Sequence, residues 1–210
     1  MRSYLTEFIG TFFLVLTVCL TSIAAVPMAP LAIGASLMVM VYMGGHVSGG
    51  HYNPAVSLAV LLRGKMKSGG EFVAYLVSQL AGAIAAALVA YVITGKTIAL
   101  APGDSVSGTA ALLVEILFTF ALALVVLNSA VSAKTQGNSF YGLAIGFTIV
   151  VAAFAGGSIS GGAFNPAVGS GPTLVHAFIE GGSLSNLWLY LVGPFAGGAL
   201  AAAVFGIQEG

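Results

Sequence analysis

The chain has 210 residues, 59% of them hydrophobic and only 6% charged, with a formal net charge of zero and a mean hydropathy of +1.06. Soluble domains carry about a quarter charged residues, so this composition excludes a water-soluble globule and describes an integral membrane protein. Balanced charge removes the electrostatic footprint of a nucleic-acid partner or a polybasic lipid binder, and a lone cysteine, Cys19, leaves no intramolecular disulfide and no cysteine metal cluster.

A bilayer core takes roughly 20 apolar residues per helix. In chain order, the first such run covers 4–25. Arg2 and the apolar stretch behind it have the look of a signal peptide, but Glu7 falls inside the apolar region and the segment recurs in the second half, so it reads as a first span. Cys19 within it reads as a small buried hydrophobe. A second span covers 31–46, after which SGGHYNPAV (48–56) interrupts the hydrocarbon-soluble sequence. The stretch 53–62 begins at Asn-Pro and is too short to cross. Spans follow at 70–94, 109–131 and 139–157; SGGAFNPAV (160–168) then repeats the earlier interruption, a second short stretch runs over 165–176, and a sixth span covers 185–207.

The halves match piece by piece. TEFIGTFFLVLTV (6–18) matches VEILFTFALALVV (114–126), placing Glu7 over Glu115, and YLVSQLAGAIAAALVAYV (75–92) matches YLVGPFAGGALAAAVFGI (190–207). The chain is thus one domain, 1–210, built as repeat 1 (1–95), a linking loop (96–108) and repeat 2 (109–210). Three spans per half is an odd number, so the second copy enters the membrane upside down, giving an inverted repeat. Arg2, Arg63, Lys65, Lys67 and Lys134 then share one side and Lys96 stands alone on the other, which sets both termini in the cytoplasm. Short loops and the lack of an Asn-x-Ser/Thr sequon point to a microbial plasma membrane.

Inversion makes the two short segments dip into the bilayer from opposite faces. Irregular backbone at that depth needs burial in protein or a watery cavity, and Gly49, Gly50, Gly161 and Gly162 supply backbone able to turn tightly. Asn is among the best helix N-caps and Pro is favoured at the first helical position. Asn53-Pro54-Ala55 and Asn165-Pro166-Ala167 therefore read as two helix starts meeting tip to tip. Each tip carries roughly +0.5 of an elementary charge and unpaired N–H groups. A neutral molecule with a lone pair can accept hydrogen bonds there, while a cation or proton is repelled.

The paired boxes, the matched glutamates and Gly171-Pro172 resemble the aquaporin (major intrinsic protein) family over essentially the whole length. The resemblance implies an all-α membrane fold of six helices plus two re-entrant half-helices, a homotetramer with one pore per subunit, and no cofactor. It implies that carbonyls of Gly49, Gly50 and His51, and of Gly161, Gly162 and Ala163, line two vestibules, and that Glu7 and Glu115 orient those loops. The family's constriction falls on Ile33, Ala153, Gly162 and Val168. Most members carry arginine at the last of these; valine there removes a fixed charge and widens the filter. Water is expected to pass with hydrogen peroxide, ammonia, urea or glycerol, glycerol less securely because Gly169 replaces the acidic residue of glycerol-conducting members.

Other readings are an inverted-repeat secondary transporter, for which only Glu7 and Glu115 offer ionisable groups in the membrane, and a closed-pore structural membrane protein. No paired carboxylates, triad or phosphate loop marks an enzyme. The three histidines lack the carboxylates of a metal site, His46 and His176 reading as ordinary polar residues and His51 as facing a vestibule.

Overall fold

Six long helices and two short ones make up the computed structural model, which describes residues 1–210. The long helices are α1 (Arg2–Ile23), α2 (Ala29–Ser48), α4 (Gly69–Thr94), α5 (Gly108–Val126), α6 (Tyr141–Ser160) and α8 (Leu187–Glu209), each long and apolar enough to cross a bilayer. Between them lie the short α3 (Pro54–Leu62) and α7 (Pro166–Glu180). The expected spans stand, within a few residues at each end.

Four boundaries differ from expectation. Helix α6 runs on to Ser160, and α2 to Ser48, because the following glycines, Gly161 at φ 94° and Gly49 at φ 88°, take the left-handed conformation that ends a helix. Helix α7 extends past 176 to Glu180, where Gly181 at φ 73° stops it. Helix α5 does not end as a plain α-helix: its last turn, Leu127–Val131, widens to a π turn, followed by a 3₁₀ turn at Ala133–Thr135.

Packing follows the duplication. Helix α1 pairs with α4 and, in the second repeat, α5 with α8; α2 crosses α6 on the pseudo-twofold axis. Each half-helix lies against the long helix of the other repeat, α3 on α8 and α7 on α4. Glycine permits the close approaches. A Cβ on Gly82 would fall 2.5 Å from the Phe8 carbonyl oxygen, and one on Gly197 would fall 2.7 Å from the Phe120 nitrogen. Gly34 and Gly146 meet backbone to backbone where α2 crosses α6. The small residues of the third and sixth spans are therefore used for contacts within the chain, the usual device where lipid offers no hydrophobic drive to helix association.

Charge is sorted by face. Ser3 of α1 donates to the Val47 carbonyl at the end of α2, and Lys134 reaches the Gln208 carbonyl and Glu209 near the end of α8. Arg63 lies over the Phe205 ring. Both termini and five of the six basic residues thus share one face, and Lys96 lies at the opposite one.

Candidate functional site

The two interrupting loops are built alike. Asn53 caps α3 by accepting from Ala55 N at 2.9 Å, with Pro54 first in the helix; Asn165 caps α7 by accepting from Ala167 N at 2.9 Å and Val168 N at 3.4 Å, with Pro166 first. Each asparagine also reaches across the pseudo-twofold axis. Asn53 Nδ2 donates to the Phe164 carbonyl at 2.9 Å and Asn165 Nδ2 to the Tyr52 carbonyl at 2.8 Å. An amide NH₂ has two hydrogens, so each asparagine keeps one donor beyond this reciprocal lock.

The chain reaches those tips through strained backbone. Gly49, Gly50, Gly161 and Gly162 all have positive φ, and so do Tyr52 and Phe164, both at φ 48°. Bulky side chains avoid that region at a cost of order 1–3 kcal/mol. Buried hydrogen bonds and packing hold them there. Glu7 Oε2 accepts from Tyr52 N at 2.7 Å, and Glu115 Oε2 accepts from Phe164 N at 2.7 Å. The other carboxylate oxygens accept from His51 N and Ala163 N, both at 3.0 Å, and from the Ser48 and Ser160 hydroxyls, both at 2.7 Å. Gln79 Nε2 adds a bond to Glu7 at 2.8 Å. Tyr52 is fully buried and donates to the Met40 carbonyl at 2.9 Å, while Phe164 meets Phe118 edge to face.

Two further pairs complete the cradle. Tyr75 donates to the Ser48 carbonyl at 2.7 Å, and Tyr190 to the Ser160 carbonyl at 2.6 Å. Sequence reasoning assigned no role to Ser48, Ser160, Tyr75, Tyr190, Tyr52 or Phe164. For the serines and for Tyr75 and Tyr190 the signal was available: each recurs between halves, and a polar residue that recurs within apolar spans has a partner to satisfy.

Between the half-helix tips and the long helices runs a throat of about 30 Å³, room for roughly two waters. Its walls are mostly repeat-related apolar pairs: Leu14 with Leu122, Val18 with Val126, Ile33 with Ile145, Leu37 with Ile149, and Val56 with Val168. Polar groups come from His51, Asn53 and Asn165, and no Asp, Glu, Lys or Arg lines it. His51 Nδ1 is hydrogen-bonded to Ser57 Oγ at 3.0 Å. A mouth of about 570 Å³ opens on the face with the termini, lined by Gly45, His46, Gly49, Lys65 and the 129–138 turn. On the other face a mouth of about 360 Å³ is lined by Ile98–Ala101, Gly157 and Gly161.

Of the four expected constriction residues, Ile33, Ala153 and Gly162 line both the throat and the far-face mouth, while Val168 lines the throat. Val18, not anticipated, also lies at that junction. Ala163, His51 and both asparagines line the throat. Gly49 and Gly161 line opposite mouths, whereas Gly50 is buried in its turn. Ala55 is buried against Gly198; Pro54, Pro166 and Ala167 face away from the throat, into an apolar crevice between α4 and α8. Glu7 and Glu115 are buried behind the loops, outside the lining. Cys19 is buried in the core.

At the far face the linking loop is tied to α7. The Thr97 hydroxyl lies 2.7 Å from His176 Nδ1 and donates to Glu180, whose second oxygen is 3.7 Å from His176. The Thr97 hydrogen bond, with His176 adding attraction, holds the Glu180 carboxyl below the usual carboxylate range.

The family model described as Major intrinsic protein matches residues 1–205. Glycerol uptake facilitator protein-like 6 of Lactiplantibacillus plantarum is 35% identical, the match covering 96% of this chain and 95% of that protein. Aquaporin NIP1-4 of Oryza sativa is 36% identical over 99% of this chain and 77% of its own length. Among solved structures, the aquaglyceroporin of Plasmodium falciparum superposes with a TM-score of 0.85 at 22% identity, over 97% of this chain and 94% of that one, a likeness of fold.

Proposed function

The chain belongs to the major intrinsic protein family and is a channel for water and small neutral solutes; we propose that these solutes cross in single file through the throat between the two mouths. The observation that carries this reading is the reciprocal asparagine lock, which leaves one amide donor on each of Asn53 and Asn165 beside a mostly apolar wall. A passing water or hydroxylated solute accepts from those donors, and His51 is the only other polar side chain in the wall. Loop carbonyls between residues 49–51 and 161–163 supply acceptors on either side, and Glu7 and Glu115 hold those loops in place.

Ions are refused at the same point. Two helix N-termini present partial positive charge to a throat with no carboxylate, so a cation loses hydration and gains no partner. Glu7 and Glu115 each accept at least three hydrogen bonds and stand outside the lining, which supports a scaffolding role over the proton coupling a transporter would need.

Selectivity is set where Ile33, Ala153 and Gly162 meet the far-face mouth, with Val168 in the adjoining throat. With no cationic donor among them, discrimination rests on size and charge, and hydrogen peroxide, ammonia, urea or glycerol pass alongside water. The glycerol-facilitator relative supports the larger end of that range. The five basic residues on the face of the termini support cytoplasmic termini, with the protein in the cell membrane as a homotetramer.

Proteoliposome swelling tests the filter. Wild-type vesicles shocked with glycerol or urea should shrink and then reswell quickly. Val168→Arg should keep the shrinkage and slow the reswelling. Unchanged reswelling in the variant places the filter elsewhere.

A further inference from the structure

The crevice into which Pro54 and Pro166 face is a second cavity, separate from the conduction path. No Cα of α4 comes within 8 Å of a Cα of α8, and the floor between them is formed by the starts of the two half-helices. The pocket there holds about 160 Å³ and is lined by Leu76 and Leu80 of α4, Leu191 and Phe195 of α8, Pro54 of α3, and Pro166, Ala167 and Ser170 of α7. None of its lining residues lines the throat, and the prolines on its floor are the immediate neighbours of Asn53 and Asn165.

Its origin is a break in the repeat symmetry. Pro54 pairs with Pro166, Leu76 with Leu191, and Leu80 with Phe195 across the axis. Three and four residues after each proline the copies diverge: Ser57 and Leu58 stand in α3 where α7 has Gly169 and Ser170. Replacing a leucine by a serine removes volume, and it is on the α7 side, through Ala167 and Ser170, that the pocket opens. A recess of this size is comparable to one that takes a benzene-sized apolar guest.

We infer that this pocket is a binding site for the end of a bilayer acyl chain, seated between α4 and α8 against the prolines of the two half-helices. The occupant follows from the surroundings. The pocket lies at the half-helix tips, deep between the two faces, and the helices that wall it carry exposed apolar residues, Val77 on α4 and Val192 and Leu200 on α8, so what reaches it is hydrocarbon. A recess of this volume admits a chain end or a single side chain, whereas a neighbouring helix is about 10 Å across and cannot enter. Chain termini occur at this depth of a bilayer.

Photolabelling reads the site without any permeation. The full-length protein is reconstituted in phosphatidylcholine vesicles that carry a diazirine at the acyl terminus, irradiated, digested and mapped by mass spectrometry. Label should concentrate on Leu76, Leu80, Ser170, Leu191 and Phe195 over the flanking Val77, Val192 and Leu200. Ser170→Leu, which restores the residue of the other repeat, should lose the pocket label and keep the flanking label. Leu76→Phe, filling the recess from the opposite wall, should do the same, so a folding defect in one variant does not decide the matter. Label spread evenly over pocket and flanks, or pocket label that survives both substitutions, overturns the site. Flanking label with none in the wild-type pocket, as when a second copy covers it, overturns it as well.

Discussion

Glu7 and Glu115 show how single residues fix the geometry of the throat. Each carboxylate takes two successive backbone N–H groups and a serine hydroxyl from a loop that would otherwise leave them unpaired inside a membrane. Replacing Glu115 by Gln turns one acceptor into a donor facing the Phe164 N–H, and a buried donor left unpaired costs about 1–3 kcal/mol. Glu115→Gln should therefore lower the thermal unfolding temperature of the solubilised protein and reduce water permeability; an unchanged melting curve contradicts the scaffolding role. The glutamates were legible in the sequence because they recur at matched places within apolar spans. The left-handed Tyr52 and Phe164 were not, since aromatic residues carry no signature of positive φ and take it only under external restraint.

Among the elements, the half-helices were readable from Asn-Pro alone, because capping and a fixed proline φ are local chemistry. Span number and length followed from composition. The π turn at Leu127–Val131 was not readable: it depends on side chains from distant elements, with Asn128 bonded to Gln208 and Ser132 to Glu209. Which glycines touch which helix was equally hidden. Gly82 is pressed against α1, so Gly82→Ala should destabilise by about 1–3 kcal/mol through overpacking. Gly69→Ala, with open space around it, should leave stability unchanged. Equal melting temperatures for the two variants would count against the packing described. The tether from Thr97 to Glu180 titrates in acid: a carboxyl held below its ordinary range stabilises above that range and loses its contribution as pH falls through the depressed value. Amides of the 96–103 segment should exchange faster in Thr97→Val than in the wild type at neutral pH, and the ratio should fall to one in strong acid. A ratio of one at neutral pH denies the tether.

At the scale of the whole molecule, the inverted repeat makes one half-pore serve twice. Two loops enter from opposite faces, lock through Asn53 and Asn165, and leave a throat whose apolar walls come in related pairs. This arrangement was legible as topology, since duplication, odd span number and paired boxes require it. The symmetry is incomplete where it shapes ligand space: the mouths differ in size, and Ser170 stands opposite Leu58. No sequence pattern gives a cavity volume, because that depends on how all the walls pack together. The central claim is that neutral molecules pass a positive, carboxylate-free throat that protons do not. It is tested most directly by following osmotic shrinkage and internal pH together in the same proteoliposomes, by light scattering and a trapped pH dye. Water flow well above that of empty vesicles with a proton leak equal to theirs is the predicted result. A proton leak rising in step with water flow, or no water flow above empty vesicles, would contradict it.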